Sequence, residues 1–421
     1  MSDWPWKMFY TALFVFILTY ALISVGKTPR LKFGRAFAAA LGMALMVILA
    51  VVTPAEALAS IDWGVILLLL GMMLLVLGLE HCGLFEILSD YLVSRGGNGK
   101  RLLAVVMVIS AAMSALVLND ATVLLLTPVV IRCCAACRMD PVPHLVGLAF
   151  AANIGSVATA VGNPQNAYIT TEGGVGFIDF FIHQIPVAVV CLPVAYAILV
   201  IAFRGRLDAE VETASAGRAF GRVRKYPLMA MLVVTTGVFA GFALSDVFGY
   251  PLYFPAVAGG VAALASIALT SARDVPSAVA RVDWSILVFF VGLFVVMEGI
   301  SVAGVVSRIT DVVIGGHGGP GVPLGPFVAL SAILSNLVSN VPATMLLAGM
   351  FGSDTPWLLL ASTTTLAGNA TLLGSAANVI VAEKAENLGV RLDFWKFAAV
   401  GLAVTLPTLA IAVGFHLIFP Y

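Results

Sequence analysis

An apolar stretch that is otherwise suited to a membrane helix is interrupted at its centre by Gly162-Asn163-Pro164-Gln165-Asn166. Proline removes a backbone donor, glycine loosens the turn, and three amide side chains cannot rest against lipid. A helix broken at mid-membrane is tolerated where its freed backbone groups line a cavity, so the break predicts a binding site. The pattern returns later in the chain. Ala158, Thr159, Gly162 and Asn166 match Ala370, Thr371, Gly374 and Asn378 at the same internal spacing, within Gly368-Asn369 to Val381. Interrupted segments at corresponding positions of two halves point to the substrate site of a transporter.

Composition supports that setting. The chain of 421 residues is 61% hydrophobic and 10% charged, with zero formal net charge. Such a balance reads as membrane-embedded and gives no basic surface for nucleic acid. The first apolar run, from Met8 to Val25, has span length and no small-residue cleavage site, which predicts a retained helix. Apolar runs near 8–25, 36–53, 63–80, 146–170 and 179–203 form one set, and those near 227–247, 255–271, 285–301, 357–381 and 397–420 a second. Positive charge gathers in alternate loops: Lys27, Arg30, Lys32 and Arg35; Arg95, Lys100 and Arg101; Arg132 and Arg138; Arg204 to Lys225; and Lys384, Arg391 and Lys396. The positive-inside rule places all of them in the cytoplasm, with both termini outside.

Between the third and fourth runs of each set, residues 103–137 and 326–350 carry apolar arms around the polar tips Asn119-Asp120 and Ser339-Asn340. The first arm of each falls short of a full span, which predicts re-entrant hairpins. Ile61-Asp62-Trp63 matches Val282-Asp283-Trp284, and Gly71, Gly78 and Gly83 match Gly292, Gly299 and Gly304 without a gap. The same register brings Asn119 onto Asn340. The expected fold is therefore an all-α polytopic membrane protein of two inverted repeats of five spans, each with a re-entrant hairpin and a broken helix. The repeats cover 1–203 (hairpin 103–137, broken helix 146–170) and 227–421 (hairpin 326–350, broken helix 357–381), joined by a cytoplasmic linker at 204–226.

Asp120 is the only acid near a hairpin tip. A carboxylate at that depth costs roughly 3 kcal/mol on insertion scales and needs a proton, a cation or N–H donors. It is read as a cation ligand or proton carrier, against the alternative of a helix cap. Asn119, Thr122, Thr159, Gly162, Asn163, Gln165 and Asn166 form the candidate ion or substrate set of the first half. Ser339, Asn340, Thr344, Asn369, Thr371, Gly374, Ser375 and Asn378 form that of the second. Each Ser or Thr has the plainer alternative of bonding between helices. Glu80 and Glu298 fall near span ends, and Glu383, Lys384 and Glu386 read as a solvated face. The histidines are scattered, so no metal site is expected. Cys133, Cys134 and Cys137 invite a thiolate site for trivalent arsenic but read more simply as small apolar filler. No phosphate-binding glycine loop is present to suggest an ATP-driven pump, and no nucleophile–base pair to suggest an enzyme.

Leu118-Asn119-Asp120 through Pro128, the two breaks and Ser339-Asn340-Val341-Pro342 resemble the ion-transporter superfamily of arsenite permeases, NhaD-type sodium–proton antiporters and divalent-anion/sodium symporters. The resemblance covers nearly the whole chain. It implies one subsite between Asn119-Asp120 and 162–166, a related one between Ser339-Asn340 and 374–378, and an elevator-like motion of hairpins and broken helices against a scaffold. The Asn-Asp tip is closest in style to arsenite permeases, whereas Gly-Asn-Pro-Gln-Asn is closer to the anion transporters. The expected function is ion-coupled efflux of a small inorganic solute, arsenite or antimonite. Sodium–proton antiport and sodium-coupled uptake of an oxyanion or dicarboxylate are the alternatives. The resemblance also implies a prokaryotic cytoplasmic membrane, a homodimer, a soluble ATPase partner, and no cofactor beyond a coupling sodium ion or proton.

Overall fold

The computed structural model describes residues 4–25, 34–94, 98–208, 223–314 and 323–420. Lys27, Arg30, Lys32, Arg95, Arg218, Arg222 and His317, together with most of the linker, lie outside the described residues. The first half runs α1 (Trp4–Val25), α2 (Arg35–Ile48), α3 (Pro54–Ala59), α4 (Trp63–His81) and α5 (Leu84–Ser94). The arms of the first hairpin follow as α6 (Gly99–Leu116) and α7 (Asn119–Ala136), then the broken helix as α8 (Pro141–Ser156) and α9 (Pro164–Glu172), then α10 (Phe177–Ala202). After the short α11 (Arg204–Leu207) the order repeats: α12 (Lys225–Phe248), α13 (Tyr253–Ser271), α14 (Val275–Ala280), α15 (Trp284–Val302) and α16 (Val305–Ile314). The second hairpin is α17 (Leu324–Val338) and α18 (Asn340–Phe351), the second broken helix α19 (Trp357–Ala367) and α20 (Ala376–Asn387), and the chain closes on α21 (Phe394–Ile418).

Local chemistry explains the repeated residues. Asp62 caps α4 by accepting from the Val65 N–H at 3.1 Å, and Asp283 caps α15 by accepting from Ser285 and Ile286 at 3.1 and 3.3 Å. Such caps satisfy donors that the first turn leaves free. Gly83 and Gly304 adopt φ of +94° and +70°, the left-handed turn that carries α4 into α5 and α15 into α16. α5 carries Glu86 and Asp90 one turn apart, so a search for apolar runs passes over it.

Two packed groups result. α4 lies on α13 and α15 lies on α2, with α1 and α12 beside them. A Cβ on Gly71 would stand 2.4 Å from the Ala256 backbone, and one on Gly292 would stand 2.6 Å from that of Ala39. Each half thus supplies the surface that buries the other's third span, and neither closes alone. The second group comprises both hairpins and both broken helices, with α10 against α21. Among the described residues nine helices are long and apolar enough to cross a membrane. That set includes α6 and α7, because each has 18 residues. The first arm is therefore longer than the sequence suggested, about 27 Å. The hairpin tips at Asn119-Asp120 and Ser339-Asn340 end inside the protein, where they line one shared cavity.

Candidate substrate and ion site

Helices α7, α9, α18 and α20 begin at Asn119, Pro164, Asn340 and Ala376, and all four of these residues line a cavity of about 300 Å³. Helix N-termini carry partial positive charge and unpaired N–H groups, so four of them converging make a polar focus inside an apolar protein. Arg35, Asp283 and Glu383 also line the cavity, all at cytoplasmic ends of their helices under the positive-inside assignment. The cavity therefore opens inward. A separate vestibule of about 660 Å³ lies at the outer ends, lined by Asp62, Glu172, Glu298 and Trp357.

The breaks are held by a stitch that repeats in both halves. Asn166 Nδ2 donates to the carbonyls of Ser156 and Thr159 at 2.8 and 2.9 Å. Asn378 Nδ2 donates to those of Gly368 and Thr371 at 2.8 and 3.0 Å. Thr159 Oγ1 donates to the Ala115 carbonyl at 2.6 Å, and Thr371 Oγ1 to Asn336 Oδ1 at 3.0 Å, tying each break to the first arm of its own hairpin. At the tip, the Asn119 N–H donates to the Gly162 carbonyl at 2.9 Å. A Cβ on Gly162 would meet the Ser156 carbonyl at 2.7 Å, and one on Gly374 would meet Asn336 Oδ1 at 2.5 Å.

The halves are cross-linked at the centre. Asn153, on α8, donates from Nδ2 to Asn369 Oδ1 and Asn378 Oδ1 at 2.9 and 3.1 Å. Its Oδ1 accepts from Ser375 Oγ at 2.9 Å and from Asn119 Nδ2 at 3.4 Å. Gln165 makes the reciprocal link, donating to Thr364 and Thr365 on α19 at 2.9 and 2.6 Å. The Asn340 amide, oriented to satisfy its surroundings, donates to Ser335 Oγ and the Gly374 carbonyl.

Of the residues singled out from the sequence, Asn119, Asp120, Asn163, Ser339, Asn340 and Ser375 line the cavity. Thr122, Thr159, Gly162, Gln165, Asn166, Thr344, Asn369, Thr371, Gly374 and Asn378 stand behind its wall. Gln165, Asn166 and Asn378 commit their amide nitrogens there to framework bonds. Sequence reasoning passed over Asn153, a single amide in an apolar run, and Arg35, which reads as one more cytoplasmic charge. Glu383, read as part of a solvated face, is exposed at the cavity mouth. Glu80 pairs with Arg281 at 2.8 Å, and the cysteines at 133, 134 and 137 are buried thiols.

A family model described as citrate transporter matches residues 14–365. The chain belongs to that family. It is 32% identical to a 46 kDa membrane protein of Mycobacterium leprae, across 97% of this chain and 98% of the relative. It is 28% identical to the silicon efflux transporter LSI3 of Oryza sativa subsp. japonica, across 91% and 93%. The fold is that of the Alcanivorax borkumensis YdaH transporter, with a TM-score of 0.59 at 17% identity over 99% of this chain and 98% of the other. The protein is thus a multi-pass membrane transporter and not an enzyme.

Proposed function

We propose that this transporter exports a small uncharged hydroxy acid of a metalloid, arsenite or antimonite, with Asp120 carrying the coupling proton. The observation that carries this reading is the chemistry of the inward cavity. Among the described residues its charged lining is Asp120, Asp283 and Glu383 against Arg35, and the rest is amide, hydroxyl and apolar. A citrate trianion brought there would meet a surplus of negative charge, whereas As(OH)₃ would meet donors and acceptors. Asn163 Nδ2 is buried at this wall with no partner among the described residues, a donor suited to a substrate oxygen. The name of the rice relative, a silicon efflux transporter, also favours a hydroxylated metalloid acid.

Sodium–proton antiport is the second reading. Thr122 Oγ1 and Asn166 Oδ1, on the two elements flanking the first tip, are buried without partners among the described residues and would suit sodium. Sodium-coupled anion uptake draws support from the four helix N-termini, but the cavity acids oppose it. Proteoliposomes loaded in parallel with arsenite, silicic acid, citrate or sodium test the three. Arsenite flux driven by a proton gradient is expected. Citrate flux with no arsenite flux would sink the proposal.

A further inference from the structure

We propose that Arg35 is the counter-charge of Asp120 when the empty site is open to the cytoplasm, and that the pair parts whenever the first hairpin moves. Arg35 is the first residue of α2, a helix packed on α15 and α1. Asp120 lies in the first turn of α7, which packs on α8, α20 and α6. The cavity lies between them, lined by both. Arg35 therefore belongs to the framework and Asp120 to the hairpin group.

Each is available to the other. Among the described residues neither enters an ion pair. The Asp120 N–H is taken by Asn119 Oδ1 at 2.8 Å, and no side chain caps α7, so the carboxylate is not spent on its own helix. The other charged groups facing Asp120 are less suited to Arg35. Asp283 has an oxygen committed to the Ser285 and Ile286 N–H groups, and Glu383 is exposed at the mouth. Among the described residues Arg35 is the only cation on the cavity wall.

A guanidinium that faces the carboxylate across the cavity favours its ionised form. A proton or a cation arriving at Asp120 must displace that influence, and the emptied site regains it. Because the two groups sit on bodies that the resemblance implies move past each other, the attraction exists only in the cytoplasm-open state. It would hold the unloaded carrier there and suppress leak of the coupling ion. This inference rests on Asp120 being the coupling carboxylate.

The test is transport in proteoliposomes as a function of pH on the cytoplasmic face, for the parent, Arg35→Gln, Arg35→Lys, Asp120→Asn and the double variant Arg35→Gln/Asp120→Asn. Arg35→Gln is expected to move the acid limb of the profile to higher pH by about one unit, with Arg35→Lys restoring most of it. In the Asp120→Asn background Arg35→Gln is expected to change nothing further in the profile. A profile for Arg35→Gln that overlays the parent overturns the proposal, as does a shift that persists without Asp120. Should Arg35→Gln fail to assemble, Arg35→His replaces it. The parent profile is then expected at acid pH and a displaced one at alkaline pH, and the parent profile throughout overturns the idea. Failure of the coupling reading is separate: Asp120→Asn alone would then still follow the gradient.

Discussion

The two hairpin tips occupy equivalent places in an inverted repeat, yet they are built by different means. The first turns through Leu118 at φ −56°, an ordinary extended conformation, and offers a carboxylate at Asp120. The second turns through Ser339 at φ +86° and ψ 163°, a region that a side chain disfavours, and offers the apolar Val341 where the first has Asp120. Strain of that kind costs of order 1–3 kcal/mol and persists only where the surroundings impose it. Ser339 faces the cavity and is 5% exposed, so the strain sits at the site itself. One tip thus carries charge on a relaxed backbone, and the other a neutral surface on a strained one. The repeat preserves the place of each tip, while its backbone and its chemistry are free to differ between the copies.

The largest expected effect separates the tips by charge. Asp120→Asn should reduce gradient-driven transport by at least about tenfold and remove its pH or sodium dependence, while keeping the shape of the tip. Val341→Asn, at the matching place in the second tip, should leave gradient dependence as it is. Flux through both variants measured against an imposed gradient decides this, and equal effects at the two tips would erase the distinction.

The breaks behind the tips should differ less. Gly162→Ala forces a Cβ against two carbonyls, of Ser156 and Ser114, at 2.7 and 2.9 Å. Gly374→Ala meets Asn336 Oδ1 at 2.5 Å and a single carbonyl, of Gly368, at 2.7 Å, so one of its two closest partners is a side chain rather than backbone. Both should lower the melting temperature in detergent, at a cost of about 1–3 kcal/mol. Gly162→Ala should be the worse of the two, and a neutral Gly162→Ala would show that the break is looser than it is drawn.

Glycine placed at the tips themselves should act with opposite signs. Ser339→Gly relieves the positive φ and should raise stability by about 1 kcal/mol. Leu118→Gly strips a side chain that is 2% exposed and should destabilise by about 2–5 kcal/mol, judging from comparable core truncations. Thermal unfolding of the two variants side by side gives the signs directly, and a destabilising Ser339→Gly would remove the argument for strain.

The smallest expected effect is at the far end of the first hairpin. Cys133, Cys134 and Cys137 follow the tip by several turns of α7, and none of them lines the inward cavity. Replacing all three by alanine should leave arsenite flux within about twofold, an allowance for minor repacking. Loss of flux from a monodisperse triple variant would restore a thiolate role.

Much of this molecule could be read along the chain because the signals are local. The length of apolar runs, the polar interruptions at 162–166 and 368–378, the glycine-spaced repeat after Asp62 and Asp283, and the alternation of positive loops each depend on a few neighbouring residues. Membrane burial then turns them into spans, breaks and an inverted repeat, since backbone groups in lipid have few other solutions. Tertiary structure decided which polar side chains face the cavity and which hold its walls. Asn163 and Asn166 stand in one short motif, yet one lines the cavity with a donor unpaired among the described residues and the other staples the break. That division follows from the rotation of each half-helix and from packing between the halves, which no local window contains. For the same reason Asn153 emerged as the link between the halves, and Arg35 as the cation opposite Asp120, only once α8 and α2 had been placed against partners from the other repeat.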